Sequence, residues 1–181
     1  DGKGQRVLDD REIRAFWRAA DRMGYPFGTC AQLLLVTAQR RSMVSKSTGR
    51  EFDFKTHRRW SIPKEHTKKV KQMKPQLVPV TDWMQALFER AMGESPSKRL
   101  LFSTNGESSI SGWSKYKREL NKKMLEELQR EAKAVGADPD DVTLVRWTLH
   151  DLRRSAATRM VRKPLSVEPK IIDLILHHMP A

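Results

Sequence analysis

Four basic side chains, far apart in the sequence, are of types that together could carry out phosphoryl transfer. Arg40 follows a strongly apolar segment, and His178 follows the last one. His150 and Arg153 are three residues apart at the predicted start of a helix, which places both on one face. Two fixed guanidiniums and two imidazoles suit the oxygens of a phosphodiester and stabilise its transition state without a metal. The pattern predicts a site that works by electrostatics.

The distribution of charge points to the same class of substrate. Of the 181 residues, 35 are Lys or Arg and 22 are Asp or Glu, a formal net charge of +13. The excess is concentrated at 55–75, with eight basic residues and one acid, and at 146–163, with six and one. A single basic run is often only a solvated face, but two runs with few counter-charges favour a phosphate-binding surface. Neither run has the apolar face of a membrane-binding helix, so nucleic acid is the expected partner and a membrane is not.

Composition sets the class of protein. An apolar content of 38% with five Trp suffices for one domain with its own core, here residues 1–181. The longest apolar run, 33–36, is far shorter than the roughly 20 residues that cross a bilayer. Cys30 is the single cysteine, so a reducing compartment is expected, and the first residue, Asp1, suggests a piece of a longer protein.

The elements that would position the basic residues are mainly helices. The apolar spacing and capping patterns predict six of them: from Asp9 to Gly24, from Thr29 to about Arg41, from Thr81 to Gly93, from Ser111 to about Val135, from Leu149 to Val161, and from Val167 to His178. Three segments with β character predict a small antiparallel sheet: Glu51 to Phe54, Arg59 to Ile62, and Gln76 to Val80. A basic hairpin lies between the last two, and Pro79 favours an edge strand. The predicted fold class is α+β, mainly helical.

Short motifs also follow one another in a distinctive order. They are TAQRRS at 37–42, WSIP at 60–63 with TK at 67–68 and VPV at 78–80, GWSK at 112–115, HDLRRSAAT at 150–158, and LHH at 176–178. This series resembles the catalytic domain of the tyrosine recombinases, the phage-type integrases, over nearly the whole chain. The resemblance implies a tyrosine-recombinase-like catalytic domain with a small three-stranded sheet. It also implies enzymes of phages or other mobile genetic elements that integrate or recombine DNA.

The resemblance assigns roles to individual residues. It implies five catalytic residues: Arg40, Lys68, His150, Arg153 and His178. In this family a tyrosine attacks the scissile phosphate and leaves a 3′-phosphotyrosyl link. Lys68 would protonate the leaving 5′-oxygen, and His150 would assist proton transfer. Since Lys64, Lys69 and Lys71 share the hairpin, all four lysines could instead only grip phosphates. The expected DNA-binding residues are Arg41, Lys64, Lys69, Lys71, Lys115 and Arg154.

The chain departs from the family pattern at three points. Met43 stands where an acidic residue is usual, so the support of Arg40 is expected to differ. His177 stands where Gly or Asn is more usual. The family places its nucleophilic tyrosine shortly beyond the position of His178, whereas Tyr25 and Tyr116 are the two tyrosines here and are predicted to serve packing. The isolated chain is therefore expected to be inactive, with the tyrosine in the longer parent.

The same resemblance implies the partners and the compartment. The expected partner is double-stranded DNA at attachment sites, bound by a homotetramer of the full-length protein. The expected location is the bacterial host cytoplasm, at the nucleoid. No cofactor is expected.

Several alternatives remain open at the level of sequence. The chain could be a DNA-binding module without chemistry, such as a degenerate integrase or a recombination regulator. An RNA-binding protein would expose aromatic residues on its sheet, where only Phe52, Phe54 and Trp60 are available. A metal site is not predicted, because neighbouring His177 and His178 point about 100 degrees apart on a helix and no Cys completes a set. Two-metal nucleases need converging carboxylates, and the acidic cluster at 138–141 is typical of a turn.

Overall fold

The computed structural model describes residues 6–66 and 75–177 as a mainly helical protein with one small sheet, which confirms the predicted fold class. Its helices are α1 (Asp10–Met23), α2 (Phe27–Thr37), α3 (Arg41–Ser45), α4 (Asp82–Glu94), α5 (Trp113–Ala134), α6 (Leu149–Val161) and α7 (Pro169–Leu176). Its strands are β1 (Phe52–Asp53), β2 (Arg59–Ile62) and β3 (Gln76–Pro79). Four residues assigned from the sequence lie outside the described ranges: Lys68, Lys69, Lys71 and His178. In the described ranges no helix is both long and apolar enough to cross a membrane.

Helix α2 is the central element of the core. It contacts α1, α4 and α6, and Cys30, Leu33 and Leu34 are buried on it. Each such leucine contributes about 1.5–3 kcal/mol through burial. The helix begins at Phe27 rather than at Thr29, because Thr29 is a buried residue within the first turn and does not cap it. The predicted cap was therefore wrong, and packing rather than capping determines this end.

Helix α1 begins where the sequence predicts. The Asp9 carboxylate accepts a hydrogen bond from the Glu12 backbone N–H at 2.8 Å, and the Asp9 N–H donates to the Glu12 carboxylate at 3.0 Å. This capping box satisfies backbone donors that the first turn leaves free. The helix packs on α2 and α5, and its buried Phe16 meets the Trp147 ring edge-to-face at 5.9 Å. It thereby joins the start of the chain to the segment that leads into α6.

The sheet is antiparallel with strand order β1-β2-β3. Trp60 pairs with Phe52 on one side and with Val78 on the other. The Trp60 ring also contacts Phe88 of α4, with centroids 5.4 Å apart, so the sheet rests on that helix. Pro79 lies on the edge strand β3, as predicted. The strands β2 and β3 lead into and out of the segment 67–74.

The last three helices begin or end at clear local signals. Helix α5 starts after Gly112, whose φ of 75° suits glycine, rather than after the predicted cap Ser111. Helix α6 starts with a capping box formed by Thr148 and Asp151, as predicted. Helix α7 is shorter than predicted, because it begins at Pro169 and ends where His177 takes a left-handed conformation.

Candidate active site

The site is built on the start of α6, which a buried carboxylate fixes in place. Asp151 is fully buried, and its carboxylate accepts hydrogen bonds from the Thr148 backbone N–H and hydroxyl, both at 2.8 Å. The Arg6 backbone N–H donates to the same carboxylate at 3.3 Å, and Arg154 forms an ion pair with it. Although burial opposes ionisation, these hydrogen bonds and the Arg154 charge hold the pKa of Asp151 below its usual value. The direction in which α6 projects His150 and Arg153 is thereby set.

Arg153 ties the ends of two other helices together. It is 4% exposed, and its Nη1 donates to the Ala38 carbonyl just past α2 at 2.7 Å. Its Nη2 donates to the carbonyl of Leu176, the last residue of α7. A planar guanidinium suits this task because its donors are fixed in a fork. One buried side chain thus connects α6 with the C-terminal ends of α2 and α7.

Two buried glutamines make a second connection beside it. The carbonyl of Ile175 accepts hydrogen bonds from the Gln39 amide at 2.8 Å and from the Gln76 amide at 2.7 Å. The Gln76 amide also donates to the Gln39 side-chain oxygen at 3.1 Å. Gln76 begins β3, so this network joins the sheet to the end of α7. The backbone carbonyls of Ile175 and Leu176 therefore accept hydrogen bonds from three side chains, which are those of Gln39, Gln76 and Arg153.

Arg40 enters the site from the turn after α2. Ala38 has a φ of 53° and a ψ of 23°, a left-handed conformation that redirects the chain at the end of the helix. Arg40 follows as the half-buried N-cap of α3, and its backbone carbonyl accepts from the Met43 N–H at 2.9 Å. Met43 is fully buried in the core, where it offers no charge. Within the described ranges Arg40 makes no ion pair, so its positive charge is not compensated by a carboxylate there.

The charges of these groups act on one another. The pKa of Arg153 is lowered to about 10, mainly by burial and then by the charge of Arg40. The pKa of His150 is lowered by burial, then by Arg154 and Arg153, and also by Arg40, although Asp151 opposes the shift. Burial, Arg40 and Arg153 likewise lower the pKa of His177. Arg40 and Arg153 thus act on each other and on both histidines, and their two positive charges make this a region that favours an anion.

The structure brings some of the residues chosen from the sequence together and leaves others aside. Arg40, His150 and Arg153 share this region, whereas Lys68 and His178 lie outside the described residues. Among the expected DNA-binding residues, Arg154 is half-buried and pairs with the buried Asp151. Exposed Arg41 lies over the Trp113 ring at 5.3 Å, close to exposed Lys115 at the start of α5. Exposed Lys64 is in a single helical turn that leads into 67–74.

Sequence reasoning missed the supporting residues. Gln39 and Gln76 are uncharged and were given no role, and His177 was noted only as a departure. A signal for Gln76 does exist, because it occupies an inward position of a strand in which buried and exposed residues alternate. A polar side chain at such a position needs a partner, which points to a buried hydrogen bond.

Both tyrosines of the chain pack against other aromatic rings, as predicted, with Tyr25 stacked on Phe102 and Tyr116 on Phe27. The Tyr25 hydroxyl accepts from the Ser103 N–H at 3.0 Å and lies 2.9 Å from the Ser103 carbonyl, to which it can donate.

A large cavity lies elsewhere and is of another kind. It is an apolar groove of about 510 Å³ lined by residues of α1, α2, α4 and α6, including Trp17, Leu35, Trp83 and Met160. Arg14, Arg18 and Arg159 also line the groove, but its surface is mainly apolar, so the groove is not the candidate site. The residues described contain no group of three or more His, Cys, Asp or Glu side chains that could hold a metal ion.

Comparison with known proteins places this geometry in a family. Comparison with curated protein sequences finds no match. Among solved structures, the Tn1549 transposon integrase in complex with circular intermediate DNA is 15% identical with a TM-score of 0.68, and the match covers 99% of this chain and 59% of that one. The XerH site-specific recombinase bound to its difH substrate is 17% identical with a TM-score of 0.63, covering 96% and 48%. A lambda integrase tetramer bound to a Holliday junction is 13% identical with a TM-score of 0.65, covering 99% and 48%.

The chain therefore spans about half to three fifths of the length of these proteins, and at this level of identity they establish the fold, which is that of tyrosine recombinase catalytic domains. The model of the phage integrase family matches residues 6–179. Since that match extends over almost all of the sequence, the chain belongs to the phage integrase family.

Proposed function

We propose that this chain is the catalytic domain of a site-specific recombinase that cuts and rejoins duplex DNA through a 3′-phosphotyrosyl intermediate. The observation that carries the proposal is the positive charge of Arg40, which lies beside the buried Arg153 where the ends of α2, α6 and α7 meet. Arg40 has no carboxylate partner among the described residues, and Arg153 is held by two backbone carbonyls. A phosphodiester supplies the negative charge that such a site favours.

The reaction needs little beyond these groups and a nucleophile. A tyrosine oxygen attacks phosphorus, the bond from phosphorus to the 5′-oxygen breaks, and that oxygen takes up a proton. Arg40 and Arg153 stabilise the charge that develops on the non-bridging oxygens. His150 assists proton transfer, and Lys68 and His178 complete the set of five. The tyrosine is supplied by the full-length protein, so the isolated chain binds DNA without cleaving it.

The partners follow from this reaction. Residues 1–181 act as one domain on double-stranded attachment sites, and the full-length protein assembles as a homotetramer on DNA. Arg41, Lys64, Lys69, Lys71, Lys115 and Arg154 contribute to the DNA-binding surface. The protein acts in the cytoplasm of a bacterial host, at the nucleoid.

A suicide-substrate assay on the full-length protein tests the proposal. A nicked duplex traps the covalent intermediate, because the short cleaved strand diffuses away. With EDTA present we expect a protein–DNA adduct in the wild type and none in R40A, while R18A on a distant face serves as the control. Absence of an adduct in the wild type, with DNA binding intact, would favour a non-catalytic DNA-binding module instead.

The role of Lys68 needs its own comparison. In a substrate with a 5′-phosphorothiolate, the sulfur leaves without protonation. We therefore expect this substrate to restore cleavage by K68A and to change cleavage by K69A no more than cleavage by the wild type. If the sulfur substrate rescues K69A and leaves K68A inactive, Lys69 is the general acid.

A further inference from the structure

His177 occupies a backbone conformation that an ordinary side chain rarely adopts. It follows the last residue of α7 with a φ of 51° and a ψ of 43°. Left-handed positions at helix ends favour Gly, and then Asn, because a Cβ atom costs about 1 kcal/mol there. This explains why Gly or Asn is more usual at this position in the family. A histidine here is a departure with an energetic cost.

The histidine side chain adds a second cost. Its Nε2 atom is shielded from solvent and has no hydrogen-bond partner among the described residues. A buried polar atom without a partner costs about 1–3 kcal/mol. Glycine at this position would avoid both costs. Features of this kind are often retained at functional sites, where a ligand supplies what is missing.

The neighbouring hydrogen bonds place the backbone of His177 next to the side chain of Arg153. The carbonyl of Leu176, one residue earlier, is held by Arg153, and the carbonyl of Ile175 is held by Gln39 and Gln76. The His177 N–H donates back to the Leu174 carbonyl at 3.0 Å. The backbone of His177 is therefore fixed immediately beside the guanidinium of Arg153.

The chemistry of the ring suits this location. Burial and the charges of Arg40 and Arg153 lower its pKa, so the ring is neutral at pH 7. A neutral imidazole can still donate one N–H, which adds a hydrogen bond to an anion without adding a third cation to the cluster.

We propose that His177 is a further ligand of the scissile phosphate: when DNA binds, its half-buried ring turns out of the shielded position and donates an N–H to a non-bridging oxygen beside Arg40 and Arg153. The inference rests on the proposed function, because it requires that a DNA phosphate binds there. It assigns a direct contact with the substrate to a position where the family usually has Gly or Asn.

The test compares His177→Gly and His177→Asn with the wild type in the full-length protein. Single-turnover cleavage of the nicked duplex is measured at saturating DNA, together with DNA affinity and the melting temperature. We expect H177G to cleave about 100- to 1000-fold more slowly, as for the loss of one preorganised donor. Its melting temperature should be equal or higher, since glycine relieves the left-handed strain. Because Asn tolerates this conformation and carries an N–H donor, H177N should fall between the two.

A sulfur substitution separates contact from structure. A phosphorothioate at the scissile position replaces one non-bridging oxygen by sulfur and slows cleavage. If His177 contacts that oxygen, we expect the slowing to be smaller in H177G than in the wild type for one diastereomer and unchanged for the other. Cleavage by H177G at the wild-type rate, or a lowered melting temperature as its main effect, would overturn the role of His177 while the recombinase proposal stands. If the wild type itself forms no covalent adduct, the proposed function fails instead.

Discussion

Two arginine-rich regions of the molecule satisfy their charges in opposite ways. Between α1 and α5, Arg18 lies 3.2 Å from Glu131, and Arg22 lies 3.0 Å from Glu126 and 3.1 Å from the buried Glu127. Every cation of this set has a carboxylate. Between the ends of α2, α6 and α7, Arg153 donates to backbone carbonyls and Arg40 has no described ion pair.

The difference separates arginines that join helices through ion pairs from an arginine that is held by backbone carbonyls. A carboxylate cancels the charge of its partner, so the α1–α5 face fastens two helices and has little attraction left for an anion. A carbonyl dipole holds a guanidinium in place while leaving its full positive charge. The cost is visible in Arg153, whose pKa burial and Arg40 lower to about 10. An arginine without a carboxylate partner among the described residues, Arg40, marks the candidate site more clearly than the number of basic residues does.

Replacing one arginine in each region should give the largest contrast. We expect R153A to lower the free energy of unfolding by about 2–4 kcal/mol, because two buried carbonyls lose their donor while relief of repulsion with Arg40 offsets only a part. R18A should change it by less than about 1 kcal/mol, as for other exposed ion pairs. Urea unfolding of both variants measures the difference. Equal losses would mean that the two regions are held in the same way.

The glutamine network offers a smaller and sharper test. We expect Gln76→Leu to cost about 1–2 kcal/mol, since the Ile175 carbonyl keeps Gln39 but the Gln39 side-chain oxygen loses its donor. Gln85→Leu on the exposed surface of α4 is the matched control and should be close to neutral. Denaturant unfolding measures both. If the two variants lose the same stability, the network does not support the site.

The ammonium group of Lys117 makes the stability of the folded protein depend on pH. Its ammonium lies 3.5 Å from the centre of the Trp147 ring, and burial lowers its pKa to about 7, although Asp151 opposes the shift. The unfolded chain, with an ordinary lysine pKa near 10.4, binds more protons between pH 7 and 10, so stability rises with pH there. Solvent screening and attraction to the ring reduce the gain to about 1 kcal/mol between pH 7 and 9. Unfolding curves at both pH values should show this rise in the wild type and not in Lys117→Met; a rise of the same size in the variant would assign it to another group.

The smallest expected effect concerns the outer DNA surface. Exposed Arg41 lies over Trp113, whereas exposed Arg18 lies on the α1–α5 face. If Arg41 contacts a phosphate, R41A should weaken binding about threefold and lessen the dependence of affinity on salt by about one charge. R18A should change neither quantity. Fluorescence anisotropy over a series of salt concentrations distinguishes the two, and identical curves for both variants would remove Arg41 from the interface.

The structural features that the sequence predicts correctly are those that depend on a few neighbouring residues. The capping boxes at Asp9 and Thr148 lie within four residues each, so α1 and α6 began where expected. The start of α2 was misplaced because packing buries Thr29, which no local pattern indicates. The roles of Gln39 and Gln76 depend on a carbonyl 136 and 99 residues away, a contact that only the folded chain creates.

The residues of the candidate site likewise divide into those that local motifs indicate and those whose role depends on the folded chain. Arg40, His150 and Arg153 were predicted from distinctive motifs, and the structure places them within electrostatic range of one another, while their catalytic roles stay a prediction. The left-handed backbone at His177 was not predicted, since it arises where α7 ends against Arg153. The unusual residue at that position was visible in the sequence, but its physical meaning was not.

The most direct test of the central claim is a crystal structure of the full-length protein bound to an attachment-site duplex. We predict that the scissile phosphate lies within hydrogen-bonding distance, about 3 Å, of the guanidiniums of Arg40 and Arg153 and close to His150. A phosphate backbone bound on another face, with Arg40 and Arg153 touching no DNA oxygen, would contradict the account.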